Sequence, residues 1–243
     1  MQIFYMKNTL IIISYFDSRP KTQLNNLVHQ LRNLNVPILL SINSNKNKQI
    51  VLYKDSKVNI LKRPNLGMNI GAWNDAFFAL PDFDYYHFLQ DECVVEDENF
   101  IEAYNSLLNE KNVGMVGESI NPKWSKDWQS LLLSPLNYMD DDHIISGIRI
   151  PRVDFYLSML KKWNINPGKN ATHLRSLIWS FKNETVREIQ GFPIGINKGE
   201  CIASEIAVSK KIEALGLQIK QVDSAPFKYI YHTEWNRDGF SKL

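Results

Sequence analysis

The chain has 243 residues, 44% apolar and 12% aromatic, enough to bury a substantial core in one large α/β domain or two small ones. A formal net charge of +2 without a dense Lys/Arg run gives no electrostatic footprint for nucleic acid. Cys93 and Cys201 lack metal-type spacing, the apolar run 9–13 is far below the roughly 20 residues that cross a bilayer, and no secretory pattern precedes it, so a reducing, cytoplasmic setting is expected.

The run 10–15, Leu-Ile-Ile-Ile-Ser-Tyr, is a continuous apolar stretch of the kind that forms a buried parallel strand. In residues 16–20, Ser18 is placed to cap a helix with Pro20 near its first turn. Leu24, Leu27, Val28, Leu31 and Leu34 then recur at helical spacing. After Pro37, residues 38–42 predict a second strand, 43–48 a polar loop and 51–53 a short edge strand.

The stretch 58–95 organises the rest. A strand at 58–61 runs into Arg63-Pro64-Asn65-Leu66-Gly67-Met68-Asn69-Ile70-Gly71, where glycines allow a tight turn and close backbone approach. Ala72, Trp73, Ala76, Phe77 and Leu80 follow as a helical face, and a helix starting near Gly71 would aim free N–H groups at an anion. The strand 85–89 then ends in Gln90-Asp91-Glu92. In an open α/β sheet, ligands collect outside the carboxyl ends of strands, so backbone donors and carboxylates there suit a phosphate-bearing ligand with a divalent cation. A helix at 100–108 and a strand at 113–116 continue the alternation of a mostly parallel sheet flanked by helices.

Beyond Gly117 the order is looser. Residues 121–146 hold Trp124, Trp128 and Asp140-Asp141-Asp142-His143, whose consecutive carboxylates point in different directions and read as a solvated loop. Val153, Tyr156, Leu157 and Leu160 predict one helix, and Leu174, Leu177, Ile178 and Phe181 another. Trp124, Trp128, Trp163 and Trp179 are candidates for a ligand-stacking platform, with buried core as the default. A Gly-rich loop at 190–200 leads into a helix marked by Ile202, Ile206, Ile212 and Leu215 and closed by Gly216; a strand at 217–222 and an aromatic stretch at 229–235 complete the chain.

These motifs resemble the GT-A glycosyltransferases, particularly family-2-like bacterial enzymes of surface polysaccharide synthesis. The resemblance rests on the opening strand and helix, Asn65-Leu66-Gly67 leading through Gly71-Ala72-Trp73-Asn74 into a helix, and Gln90-Asp91-Glu92 in the place of the metal-binding Asp-x-Asp. It extends to Glu205 in a helix ended by Gly216, and to the late His232. Gln90 stands where the first Asp usually sits and Glu92 replaces the last.

The resemblance implies a single GT-A domain over 1–243, with a nucleotide-sugar half to about 118 and an acceptor half at 119–243. It implies transfer of a sugar, with inversion, from a UDP, GDP or dTDP donor to a glycan or lipid-linked acceptor at the inner face of the membrane. Mn²⁺ or Mg²⁺ would be held by Glu92, Asp91 and His232. Glu205 is the expected general base, taking the proton of the acceptor hydroxyl, with Glu200 its competitor. Ser14, Tyr15, Asp17, Asn43, Arg63, Asn65, Gly67, Asn69, Gly71, Asn74, Gln90 and Asp91 are the expected donor contacts. A sugar-nucleotide nucleotidyltransferase is the alternative enzyme, although 16–20 lacks the glycines of its phosphate loop. A carbohydrate- or nucleotide-binding protein without catalysis is the alternative outside enzymes.

Overall fold

The computed structural model describes residues 8–53, 58–138, 144–145 and 147–238. The first half runs β1 (Thr9–Phe16), α1 (Thr22–Arg32), β2 (Ile38–Ser44), β3 (Val51–Tyr53), β4 (Val58–Pro64), α2 (Met68–Ala79), β5 (Tyr85–Gln90), β6 (Cys93–Val95), α3 (Phe100–Leu108) and β7 (Val113–Gly117). The second half adds α4 (Trp128–Leu132), β8 (Ile144–Ile145), β9 (Ile148–Arg149), α5 (Arg152–Lys162), β10 (Ile178–Lys182), α6 (Asn183–Glu188), α7 (Lys198–Ala214), β11 (Gln218–Gln221) and β12 (Ile230–His232).

An 8-stranded sheet in the order β11-β7-β10-β5-β1-β2-β4-β3 carries the fold. β1 pairs in parallel with both β2 and β5, β2 with β4 and β7 with β11, whereas β10 and the edge strand β3 run against their neighbours. The side chains of β1 alternate between two cores. Ile11 and Ile13 pack with Leu24, Leu27 and Leu31 of α1 and Phe100 and Tyr104 of α3. Leu10 and Ile12 face Trp73 and Phe77 of α2 and Val208 and Ile212 of α7. Burial on both faces explains why β1 is apolar throughout. A third cluster joins Trp124 and Trp128 to α5 and to Ala203, Ile206 and Ala207 of α7.

Two expectations about elements are corrected. The run 178–182, read as helix, is β10, inserted antiparallel between β5 and β7. Its Ile178, Trp179, Ser180 and Phe181 are all buried, so the strand lacks the alternation that separates it from a buried helix. Ser18 does not cap α1, which begins at Thr22 behind Lys21. Residues 16–19 instead close a turn of their own, with Arg19 N–H on the Phe16 carbonyl and Tyr15 Oη donating to the Arg19 carbonyl at 2.5 Å.

The topology brings the carboxyl ends of β1, β2, β4 and β5 to one edge. A small antiparallel ribbon, β6 with β12, sets His232 opposite Cys93 beside that edge.

Candidate active site

The Asn-Gly turn is built for close backbone packing. Gly67 lies at φ +77° before α2, and a Cβ on Gly71 would stand 2.0 Å from the Leu66 carbonyl oxygen. Arg63 is only 2% exposed and locks this turn: its Nε donates to Asp75 at 2.6 Å, Nη2 to the Leu66 carbonyl at 2.8 Å, and Nη1 to Asn43 Oδ1. The expectation of a donor contact at Arg63 is therefore corrected, because its donors close a network inside the protein. Asn43 is drawn into the same network and also donates to the Met68 carbonyl at 3.3 Å.

Asn74 accepts from the Phe192 N–H at 2.9 Å and so holds the 190–192 loop rather than facing the strand ends. Ser14 is buried, with Oγ toward the Leu89 carbonyl at 3.4 Å, and Tyr15 is tied to Arg19. Asp17 and Asn65 are exposed at the ends of β1 and β4.

Around β5 the arrangement differs. The Ser176 carbonyl accepts from Asn69 Nδ2 and from Gln90 Nε2, each at 2.6 Å. Gln90 Oε1 lies 3.4 Å from His232 Nε2. An amide can donate on one side and accept on the other, whereas a carboxylate only accepts and would face the Ser176 carbonyl with lone pairs. That gives Gln90 a physical reason to stand where an Asp was the familiar residue.

Glu92 is 3% exposed, and its carboxylate draws no hydrogen bond from a backbone N–H or a side-chain amide among the described residues. Its surroundings are ionic: the Arg19 guanidinium lies against Oε1, and His232 Nε2 is 3.9 Å from Oε2. Asp91 is buried with Arg19 4.0 Å away; burial pushes its carboxyl up to about 6, against the pull of Arg19. Among the described residues no three His, Cys, Asp or Glu side chains gather as a ready ion cage. Glu92 and His232 are brought together, and Asp91 stands beside Glu92 at the same Arg19 guanidinium. An open cleft of about 390 Å³ lies over Glu92, lined also by Arg19, Pro20, Thr22, Gln23 and Glu234.

Glu205 reaches the same corner from α7. Its Oε2 accepts from Ser176 N at 2.6 Å and Oγ at 2.7 Å, and its Oε1 lies 3.2 Å from His173 Nε2. Burial pulls this carboxyl up, but the hydrogen bonds of His173 and Ser176 outweigh it and hold it below its ordinary value. Glu200 instead accepts from Ile196 N–H at 3.0 Å and stands 3.8 Å from Lys162, which ties it to the start of its own helix and to α5. Arg175 packs on the Trp235 ring at 4.0 Å and donates to Ser119 Oγ at 2.9 Å.

Arg19, His173, Arg175, Ser176, Glu234 and Trp235 were missed from the sequence. Arg175 and Ser176 fall in a stretch read as helix, with His173 just before it, and no spacing linked them to Glu205. Three members of the tryptophan platform are corrected: Trp124, Trp128 and Trp179 are 5%, 7% and 0% exposed and belong to the cores, while Trp163 is half-buried against the third cluster. The Asp140–His143 cluster lies outside the described residues.

No protein-family model matches the chain, and no curated protein matches it in sequence. Among solved structures it is similar to the mannosyltransferase PcManGT from Pyrobaculum calidifontis in complex with GDP-Man and Mn²⁺. That match has 11% identity and a TM-score of 0.52 over 89% of this chain and 55% of that one. The chain thus spans about half the length of that structure. It also matches the catalytic domain of Drosophila β1,4-galactosyltransferase 7 in complex with xylobiose, at 13% identity and TM-score 0.44 over 95% of this chain and 72% of that one. A third match is the bifunctional glycosyltransferase WbbM, at 10% identity and TM-score 0.44 over 90% and 40% of the two chains. The strand order and the mannosyltransferase match establish a GT-A fold.

Proposed function

We propose that this chain is a glycosyltransferase that moves a sugar from a nucleoside diphosphate donor to a glycan or lipid-linked acceptor, with inversion and with a divalent cation. The observation that carries the reading is Glu92: a buried carboxylate at the carboxyl edge of the sheet that opens on a cleft and is balanced by Arg19, a side chain 45% exposed. A buried charge needs such a cation beside it, and at a cleft a ligand's cation can serve instead.

Hard oxygen donors suit Mg²⁺ or Mn²⁺, and imidazole favours Mn²⁺. Glu92 fits such an ion directly. His232 fits it on one condition: its Nδ1 accepts from Glu234 N–H at 3.3 Å, which leaves the hydrogen on Nε2, and for Nε2 to ligate that hydrogen must be on Nδ1 instead, with the Glu234 contact given up. Glu92 is therefore the principal ligand and His232 the second. When bound, the ion would offset the charge of the diphosphate leaving group as a Lewis acid.

The chain's own residues supply the rest. Asn69 and Gln90 hold the 173–177 loop against β5 through the Ser176 carbonyl, and this loop presents Glu205. Arg19, 45% exposed and reaching in from a loop, neutralises Glu92 and can withdraw when a cation takes its place. Among the described residues no helix is long and apolar enough to cross a membrane.

The test is release of nucleoside diphosphate from UDP-, GDP- and dTDP-sugars with Mn²⁺ and saccharide acceptors. Release from at least one donor is expected. Binding of a nucleotide without release from any donor would favour the non-catalytic alternative.

A further inference from the structure

The loop after β1 gives Arg19 a fixed root and a free arm. Its N–H donates to the Phe16 carbonyl at 2.9 Å, and its carbonyl accepts from Tyr15 Oη at 2.5 Å. Pro20, whose ring restricts the backbone, follows directly. The side chain is 45% exposed, yet its guanidinium meets the buried Glu92, with Asp91 4.0 Å from the same nitrogen. Side-chain rotation alone is therefore enough to carry the guanidinium off Glu92, with the backbone left in place.

The charges around this arm are unequal. Among the described residues lining the cleft of about 390 Å³, Arg19 is the one cation, and Glu92 and Glu234 line it too. Asp91 stands beside them and feels both Arg19 and Glu234. Three carboxylates against one guanidinium leave an excess of two negative charges, which a divalent cation matches. Such an ion on Glu92 competes with the guanidinium for the same carboxylate, since two positive groups in contact repel strongly at a buried position.

We propose that Arg19 is an exchangeable counter-ion: it holds the cation's place on Glu92 until a divalent ion binds, and then moves onto the diphosphate of the donor. This rests on the glycosyltransferase reading above and adds to it a coupling between ion and nucleotide that runs through one side chain.

The surroundings of Arg19 suit an anion once Glu92 is neutralised. A guanidinium pairs with phosphate through two parallel N–H···O bonds, a geometry that an ammonium lacks. Thr22 and Gln23, which open α1, line the same cleft, and the first turn of α1 has neither a side-chain cap nor an acidic residue. The partial positive charge of that helix start adds to the guanidinium. The turn into α2, on the same edge of the sheet, is instead closed by Arg63 on the Leu66 carbonyl and Asn43 on the Met68 carbonyl.

The exchange makes each ligand help the other. While Arg19 sits on Glu92, an ion has to displace it, and the guanidinium is withheld from phosphate. An ion on Glu92 frees Arg19 for the diphosphate, and a diphosphate that draws Arg19 away frees Glu92 for the ion. By linkage the two affinities then rise by the same factor.

Binding measurements on the full chain test the proposal, with Mn²⁺ alone followed by its free EPR signal and with UDP, GDP and dTDP titrated in the presence of Mn²⁺. Removing Arg19 should move the two affinities in opposite directions. In Arg19→Gln, Mn²⁺ alone should bind at least about fivefold more tightly, the low end of ordinary coupling between sites. The nucleoside diphosphate that binds the wild-type chain should bind roughly tenfold more weakly, the usual loss for a hydrogen bond to a charged group. Arg19→Lys keeps the cation on Glu92 but loses the paired N–H groups, so Mn²⁺ alone should bind within twofold of wild type while the nucleotide is weakened. A residue that merely supports the loop would weaken both ligands. Mn²⁺ affinity that falls or stays the same in Arg19→Gln overturns the exchange, and unchanged nucleotide affinity overturns the phosphate role, each with the transferase reading left standing. Mn²⁺ binding to neither chain overturns the ion site and the exchange together. Tighter Mn²⁺ in Arg19→Gln with no nucleoside diphosphate bound by wild type overturns the transferase reading and the move onto phosphate with it.

Discussion

The carboxyl ends of β2 and β4 and the carboxyl end of β5 lie on one edge of one sheet, and both carry buried polar side chains. Arg63 and Asn43, at the first, have their polar atoms matched within the protein, to Asp75, Leu66, Met68 and each other. Glu92, at the second, is equally buried, and its carboxylate is balanced by Arg19, an exposed side chain reaching in from a loop. Burial of a polar group thus separates scaffold from site only after its partners have been counted. A network closed within the core fixes geometry, whereas a buried carboxylate at a cleft, balanced by an exposed cation, can take a ligand's cation in its place.

The largest expected effect sits on the site side of this contrast. Glu205→Gln should slow transfer by roughly 10²–10⁴-fold, the usual range for a general base, with donor affinity within a few-fold. Retained turnover would move the base elsewhere and remove the distinction between Glu205 and the closed networks. On the scaffold side, Arg63→Met leaves Asp75 and Asn43 without their cation, and denaturant unfolding should show a loss of about 3–5 kcal/mol. A loss below about 1 kcal/mol, the level of a solvated ion pair, would mean that Arg63 is available for phosphate after all.

His87 sharpens the comparison inside the core. It is fully buried, its Nδ1 meets Ser180 Oγ at 2.8 Å, and burial pushes its imidazole down to about 3. Unfolded histidine takes up its proton near pH 6.5, so the unfolded state binds the extra proton between 6.5 and 3 and stability falls as the pH falls through that window. Between pH 7 and pH 4 the loss from this group is on the order of 3 kcal/mol, and His87→Leu should abolish that part of the slope. An unchanged slope would show that His87 charges freely in the folded state. The smallest effect belongs to Asn74→Ala. Losing the bond to Phe192 should cost about 1 kcal/mol in thermal unfolding, with nucleotide affinity unchanged within threefold. A larger loss of affinity would return Asn74 to the site.

Much of the fold was legible in the sequence. β1, α1, β2 and β5 follow directly from apolar runs and helical spacing, because one periodicity or continuous burial dominates each. The Gly67–Gly71 turn was legible from the conformations that glycine allows, and Gln90-Asp91-Glu92 from its place after an apolar strand. β10 was not, since a short strand buried on both faces has the same pattern as a buried helical turn. That misreading hid Ser176 and the residue just before the stretch, His173, which meet Glu205 because β10 enters the sheet next to β5. The roles of Arg63, Asn43 and Asn74 were hidden for a different reason. Whether an amide or guanidinium faces a ligand or a neighbouring backbone is decided by partners up to 118 positions away, which spacing does not encode.

The direct measurement is calorimetric titration of UDP, GDP and dTDP into the chain with Mn²⁺ and again with a chelator. At least one nucleotide should bind tenfold or more tightly with the ion; Glu92→Ala should lose that increment entirely, and His232→Ala should lose only part of it. Equal affinity with and without Mn²⁺, or an increment that survives Glu92→Ala, would contradict the assignment of Glu92 as the centre of a diphosphate site.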